Sequence, residues 1–271
     1  MSFVNLKARE ASIVKILLSV IKLLFKRLPG VPMPPSTDYK RIKDNSEIRG
    51  LENAWQDPRI PIAQRKIVDM QIREMYEGHP PLVFQALAEA VKETDASYGE
   101  IVEVGCSSGH YSEVLAFLLA HPINYLGLDY SYPFIKMARA FYPRVSFMVA
   151  DASALPIADK SCDILISGCV LLHVSDYRRA IAESVRVSRK WIIFHRTPII
   201  EGNETQIFEK KAYGVRCLEM SFSEAELFRE FTKVGITVVK EFVIEGNKAA
   251  NSEQVSQKTY LCLRDPILPG R

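Results

Sequence analysis

Beyond Gly99 the chain alternates between two patterns. Short apolar or β-branched runs recur at 101–104, 125–128, 145–149, 163–167, 191–194, 237–244 and 258–263. Between most of them, at 111–119, 133–141, 177–187 and 223–234, apolar residues fall at helical spacing. Strands alternating with helices of this length read as βαβ units, because a parallel partner strand needs a long crossover. The pattern therefore predicts an α/β fold with a doubly wound, mostly parallel, seven-stranded sheet. The last two runs are joined by 245–257, which lacks helical periodicity. They are expected to pair as a hairpin, placing an antiparallel strand near one edge.

Ahead of this region, 61–92 is periodic in the helical sense, with an interruption at Gly78-His79-Pro80-Pro81, whereas 36–60 is polar and weakly periodic. The most apolar stretch is 12–27. Placed on a helix, Ser12, Lys15, Ser19, Lys22 and Lys26 form one narrow stripe on an otherwise apolar surface. Such a helix rises roughly 24 Å, short of a bilayer core, and lysines interrupt it. Two readings stay open: a helix lying in the membrane interface with its lysines toward anionic head groups, or an accessory helix packed on the domain or on a second subunit. The proline-rich stretch 29–35 reads as a stiff linker and offers no small-residue cleavage site. Three parts are expected: 1–35 as amphipathic helix and linker, 36–80 as a helical cap, and 81–271 as the α/β domain.

Composition narrows the classes. With 48% hydrophobic and 25% charged residues, the 271-residue chain can build a sizeable core, and its net charge of +3 is too small to argue for nucleic acid. The five cysteines form no CxxC pair and the five histidines do not join them at ligand spacing, so reduced thiols in a cytoplasmic protein and no metal are expected.

The first strand of the α/β region ends in Glu103-Val104-Gly105, and Cys106-Ser107-Ser108-Gly109 leads into a helix. Glycine at 105 permits a sharp turn, and glycine at 109 is expected to let the helix start approach a ligand closely. Free N–H groups at the helix start then face that ligand. A dinucleotide fingerprint would need glycines at 105, 107 and 110, where this chain has Gly105, Ser107 and His110. That disfavours NAD or FAD. The segment resembles the first motif of the class I (Rossmann-like) S-adenosylmethionine-dependent methyltransferases, an acidic residue followed by a glycine-rich turn. Ser107 departs from it, standing where the family usually has glycine. Asp129 at the tip of the second strand, Asp151-Ala152 after the third, and 161–174 through Ser167 and His173 resemble the family's later motifs, in order. Together the resemblance covers about residues 80–263.

The resemblance implies S-adenosylmethionine as cofactor. Asp129 would take the ribose hydroxyls and Asp151 the adenine amino group, with Ala152 offering its N–H to the ring. Glu103, Gly105, Cys106, Ser107, Gly109, Tyr130 and Ser167 complete the expected cofactor set. His195 and His173, on loops after the fifth and fourth strands, are the candidate catalytic bases, each with a structural role as the alternative. By analogy Tyr213, Arg216 and Glu219 fall where acceptor contacts occur, and Tyr76 and His79 could close over the cofactor's methionine end.

Absences point away from other acceptors. Ser167-Gly168-Cys169-Val170 is not the Asn/Asp-Pro-Pro-aromatic tetrapeptide of amino-methylating enzymes, no Pro-Cys pair suits cytosine methylation, and the acidic metal ligands of catechol-type enzymes are missing. A small-molecule, sugar or lipid-linked acceptor is expected, with O-methylation first. The rival readings are a noncatalytic S-adenosylmethionine-binding scaffold and an NAD(P)-dependent oxidoreductase.

Overall fold

The computed structural model describes residues 39–48, 50–244 and 255–265. The amphipathic stretch 12–27, the linker 29–35 and most of the β-hairpin loop lie outside the described residues. Ten strands are seen among them: β1 (Tyr39–Arg41), β2 (Glu100–Val104), β3 (Asn124–Asp129), β4 (Ser146–Val149), β5 (Cys162–Gly168), β6 (Ser188–Ile200), β7 (Gln206–Ala212), β8 (Val215–Ser223), β9 (Ile236–Ile244) and β10 (Val255–Arg264). The α-helices are α1 (Arg59–Tyr76), α2 (Leu82–Lys92), α3 (His110–Leu119), α4 (Tyr132–Phe141), α5 (Tyr177–Val187) and α6 (Glu224–Lys233).

The expected seven strands form one sheet in the order β4-β3-β2-β5-β6-β10-β9. β2 through β6 pair in parallel, and β10 runs antiparallel between β6 and β9, second from the edge. Alternation along each strand splits the core between the two faces. Val102, Val104, Leu165, Ile192, Phe194 and Tyr260 pack with α5 and α6, while Ile101, Ile164, Ile166, Ile193 and Leu261 pack with α1 to α4. Burial of both faces is why these strands read as continuous apolar runs.

Three strands were not anticipated. β6 is long enough to run past the sheet rim, where Ile199 and Ile200 pair in parallel with Phe222 and Ser223 of β8. β7 and β8 form a hairpin over 206–223, and β1 adds to it antiparallel. Tyr213 (φ 51) and Gly214 (φ 84) connect the hairpin, both left-handed as a two-residue type I′ turn requires. The hairpin and the 39–76 segment stand over the carboxyl ends of the parallel strands, where open α/β sheets bind ligands.

Candidate functional site

The glycine turn is built as a tight reversal. Gly105 has φ 77, and a Cβ there would overlap the Val170 side chain. Gly105 and Cys106 donate their N–H groups to the Leu128 carbonyl at 2.7 and 3.0 Å, tying the turn to the end of β3. Ser107 takes a left-handed conformation (φ 53), which explains why glycine is common at this position. Here serine is held there by two contacts: its N–H donates to Asp129 Oδ2 at 2.8 Å, and its hydroxyl donates to Gln64 of α1. Gly109 corrects the expectation from sequence. It needs glycine for its φ of 78 and because a Cβ would meet the Phe147 ring at 2.6 Å, a packing constraint rather than an opening for a ligand.

Asp129 sits 7% exposed at the tip of β3. Its Oδ1 accepts from the Ser131 N–H at 2.8 Å, so each carboxylate oxygen rests on one backbone amide. Burial outweighs those two donors and raises its pKa to about 6. Glu103 is fully buried at the end of β2; Tyr125 donates to Oε2, while Oε1 has no partner and lies against Gly168. Desolvation raises Glu103 to about 8. Cys106 is buried, its thiol raised by burial, so only its backbone can face a ligand. Ser167 is buried at the end of β5 and Ala152 beside Asp151 is buried also. Asp151 itself is exposed, with Oδ1 accepting from the Ser153 N–H and hydroxyl, both at 2.7 Å.

Tyr130 serves the segment above. Its hydroxyl donates to the Glu52 carbonyl at 2.9 Å and accepts from the Trp55 N–H at 3.1 Å, while its carbonyl accepts from Gln56 at 2.7 Å. Ser131 adds a bond to the Trp55 carbonyl at 2.6 Å. Trp55 is thereby pinned above Asp129. Its ring lies 4.6 Å from the His173 ring and 6.3 Å from Tyr213, centroid to centroid. Sequence reading missed Trp55 and Gln64, although Trp55 is the one tryptophan in an otherwise polar stretch.

The two histidines part company. His195 stands beneath the rim, 1% exposed, with Nδ1 2.8 Å from Thr259 Oγ1 and Nε2 2.9 Å from the Tyr111 hydroxyl. Burial holds it well below its ordinary pKa. With both nitrogens engaged by protein groups it presents no free ring nitrogen, unlike the exposed rim position expected from sequence. His173 is half-buried, and its Nδ1–H donates to the Leu218 carbonyl at 2.6 Å. Burial lowers His173 to about 4, so the ring is neutral and its Nε2 lone pair is left available.

The other residues placed by analogy divide likewise. Tyr213 joins the site at the hairpin tip. Arg216 pairs with Glu209 on the surface, and Glu219 accepts from Lys210 and Tyr39 inside the hairpin. Tyr76 donates to Glu113 at 2.7 Å on the outer side of α3, and His79 is exposed, so neither closes over the turn. Gln64, three turns earlier on the same helix, reaches the turn instead.

Several buried polar atoms around these strand ends lack partners: Trp55 Nε1, Glu103 Oε1, Ser108 Oγ, His110 Nδ1 and Arg196 Nε. Buried polar groups are ordinarily satisfied, so such a cluster marks a place where a polar ligand completes the bonding. Ser107, Cys169, Arg196 and Tyr213 are all non-glycine residues at positive φ, a conformation that costs backbone strain. Among the described residues no group of acidic, histidine and cysteine side chains could hold a metal.

Comparison with known proteins falls on the same region. Residues 102–192 match the model of a family described as a methyltransferase domain. A probable S-adenosylmethionine-dependent methyltransferase of Mycobacterium tuberculosis is 29% identical over 126 residues, covering 46% of this chain and 43% of that protein. Phthiotriol/phenolphthiotriol dimycocerosates methyltransferase of the same organism is 30% identical over 141 residues, 51% of this chain and 52% of that protein. The chain thus spans about half the length of the curated relatives it matches. Among solved structures, a SAM-dependent methyltransferase of Methanosarcina mazei aligns with a TM-score of 0.53 at 17% identity, over 65% of this chain and 97% of that one. A 1,6-didemethyltoxoflavin-N1-methyltransferase of Burkholderia thailandensis gives 0.53 at 14%, over 86% and 94%. At these identities the likeness is one of fold.

Proposed function

We propose that the chain, which carries a methyltransferase domain over 102–192, is a class I S-adenosylmethionine-dependent methyltransferase that transfers the cofactor's methyl group to a hydroxyl oxygen of a small-molecule or lipid-linked acceptor. The observation that carries the reading is the pairing of the left-handed turn 105–109 with the buried Asp129 carboxylate. Two hydroxyls of a ribose can each donate to one Asp129 oxygen, and the unpartnered Glu103 Oε1 and α3 N-terminal N–H groups suit the charged methionine end of the cofactor. The cofactor supplies an already activated methyl group, so the protein's task is alignment and removal of one proton. His173 fits that second role. The Leu218 carbonyl fixes its tautomer, Trp55 fixes its plane, and the free Nε2 can accept the proton of an acceptor hydroxyl. The phthiotriol dimycocerosates methyltransferase, by its name, acts on a lipid; that supports a lipid-linked acceptor here without naming it.

The test is transfer of labelled methyl from S-adenosylmethionine to a panel of phenols, sugars and lipid-linked alcohols. Label incorporation that falls at least a hundredfold in His173→Ala, with cofactor affinity retained, supports the reading. Cofactor binding with no incorporation into any acceptor supports the noncatalytic scaffold instead.

A place at the inner membrane face is proposed from the cationic amphipathic stretch 12–27 alone. No helix among the described residues is long and apolar enough to cross a membrane. The full chain should cosediment with anionic liposomes and a form lacking 1–30 should not; equal binding by both contradicts this part.

A further inference from the structure

Arg196 is a half-buried arginine within β6. It owes its position to a β-bulge. Along β6 and β10 the register pairs Phe194 with Tyr260 and then Thr197 with Lys258, so His195 and Arg196 together oppose Thr259. Arg196 takes φ 57 to fit. The bulge breaks strand alternation, and consecutive side chains reach the same neighbour: His195 Nε2 lies 2.9 Å from the Tyr111 hydroxyl, and the Arg196 guanidinium stands close to the same tyrosine. His195 Nδ1 lies 2.8 Å from Thr259 Oγ1, so both ring nitrogens are engaged behind the arginine.

Arg196 forms no ion pair with any described residue, and its Nε is buried without a partner. Tyr111, Tyr213 and Cys169 surround it, and His110, whose Nδ1 is also buried and unpartnered, stands close enough to feel its charge. A guanidinium whose Nε is buried and unpartnered is costly to desolvate, and an oxyanion received on its planar fork offsets that cost with two parallel hydrogen bonds. The turn, Asp129 and Asp151 claim the ends of β2, β3 and β4, whereas Arg196 lies within β6, beyond β5, on the side of Cys169 and Tyr213, with His110 and Tyr111 at the start of α3 beside it.

Building on the methyl-transfer reading, we propose that the acceptor carries a carboxylate or phosphate held by Arg196, with His110 as a second donor, so that Arg196 sets acceptor specificity.

The probes are benzoate, inorganic phosphate and the neutral isostere benzamide, titrated into the full chain saturated with S-adenosylhomocysteine. At least one anion should bind, with benzoate at least tenfold tighter than benzamide when benzoate is the one that binds. Arg196→Gln should lose anion binding at least tenfold while its affinity for S-adenosylhomocysteine stays within twofold. Arg196→Lys, which keeps the charge but not the fork, should fall between. Neither anion binding better than benzamide to the unsubstituted protein overturns the proposal, whatever the variants do. A tenfold loss of S-adenosylhomocysteine affinity in Arg196→Gln also overturns it, assigning the arginine to the cofactor's own carboxylate. Absence of S-adenosylhomocysteine binding in the unsubstituted protein removes the methyl-transfer reading as well, and so is told apart from failure of this inference alone.

Discussion

Asp129 and Glu103 are acids kept from their ordinary ionisation by burial, at about 6 and about 8. The consequences have opposite signs with and without ligand. Ribose hydroxyls donate to the ionised Asp129, so cofactor affinity is expected to rise with pH through about 6 and level off above it. Asp129→Asn should flatten that rise and weaken binding at least tenfold at about pH 8; an unchanged pH profile in the variant contradicts the assignment. Without ligand the raised Glu103 pKa works the other way. Its contribution to stability is complete below its ordinary value of 4.5 and is lost as pH rises through about 8. Denaturant unfolding of the ligand-free protein between about pH 5 and 9 should show a decline that is shallower in Glu103→Gln. Both acids are legible in the sequence because their positions relative to the glycine turn are fixed by the strand ends. Arg196 is legible only as the neighbour of His195. The bulge that aims it depends on the β10 register, and nothing in Phe194-His195-Arg196-Thr197 announces it.

The seven strands and four helices of the α/β region follow from periodicity, because each buries an apolar face against a layer of known type. The β7–β8 hairpin does not. Its buried face carries an ion pair, Lys210 with Glu219 at 2.6 Å, beside Phe208 and Cys217, so its apolar alternation is masked. Tyr213-Gly214 is a turn signal only once both flanking runs are recognised as strands. A second element-level dependence joins α5 to the loop after β4. Arg186 donates to the Leu155 and Ile157 carbonyls, both at 2.9 Å, and pairs with Glu183 and Asp159, while Glu183 accepts from the Leu155 N–H. Asp151 and Ala152 hang from this loop. Arg186→Gln should cost about 1–3 kcal/mol of stability and raise the KM for S-adenosylmethionine more than it lowers kcat. A kcat loss with unchanged KM contradicts this role.

In the molecule as a whole, a sheet that ends in open loops is covered by a segment from earlier in the chain. Glu52, Trp55 and Gln56 are tied to Tyr130 and Ser131, and Gln64 to Ser107, so the cover is anchored on the residues that flank the proposed ribose site. If the cofactor binds there, its release is expected to require this cover to yield, as lids do in other enzymes. Trp55→Ala should speed release of S-adenosylhomocysteine at least threefold in stopped-flow displacement; an unchanged rate places the exit elsewhere. Nothing in the polar pattern of 36–60 foretells that cover, since its contacts are backbone hydrogen bonds, two polar side chains and one aromatic ring. The proposed chemistry requires that the ends of β2, β3 and β4 bind one nucleotide, S-adenosylmethionine. Titration calorimetry of the full chain with S-adenosylmethionine, S-adenosylhomocysteine and NAD tests this without knowledge of the acceptor. Saturable binding of the first two at submillimolar concentration, with none of NAD, is the predicted result; NAD binding, or no heat from any of the three, contradicts it.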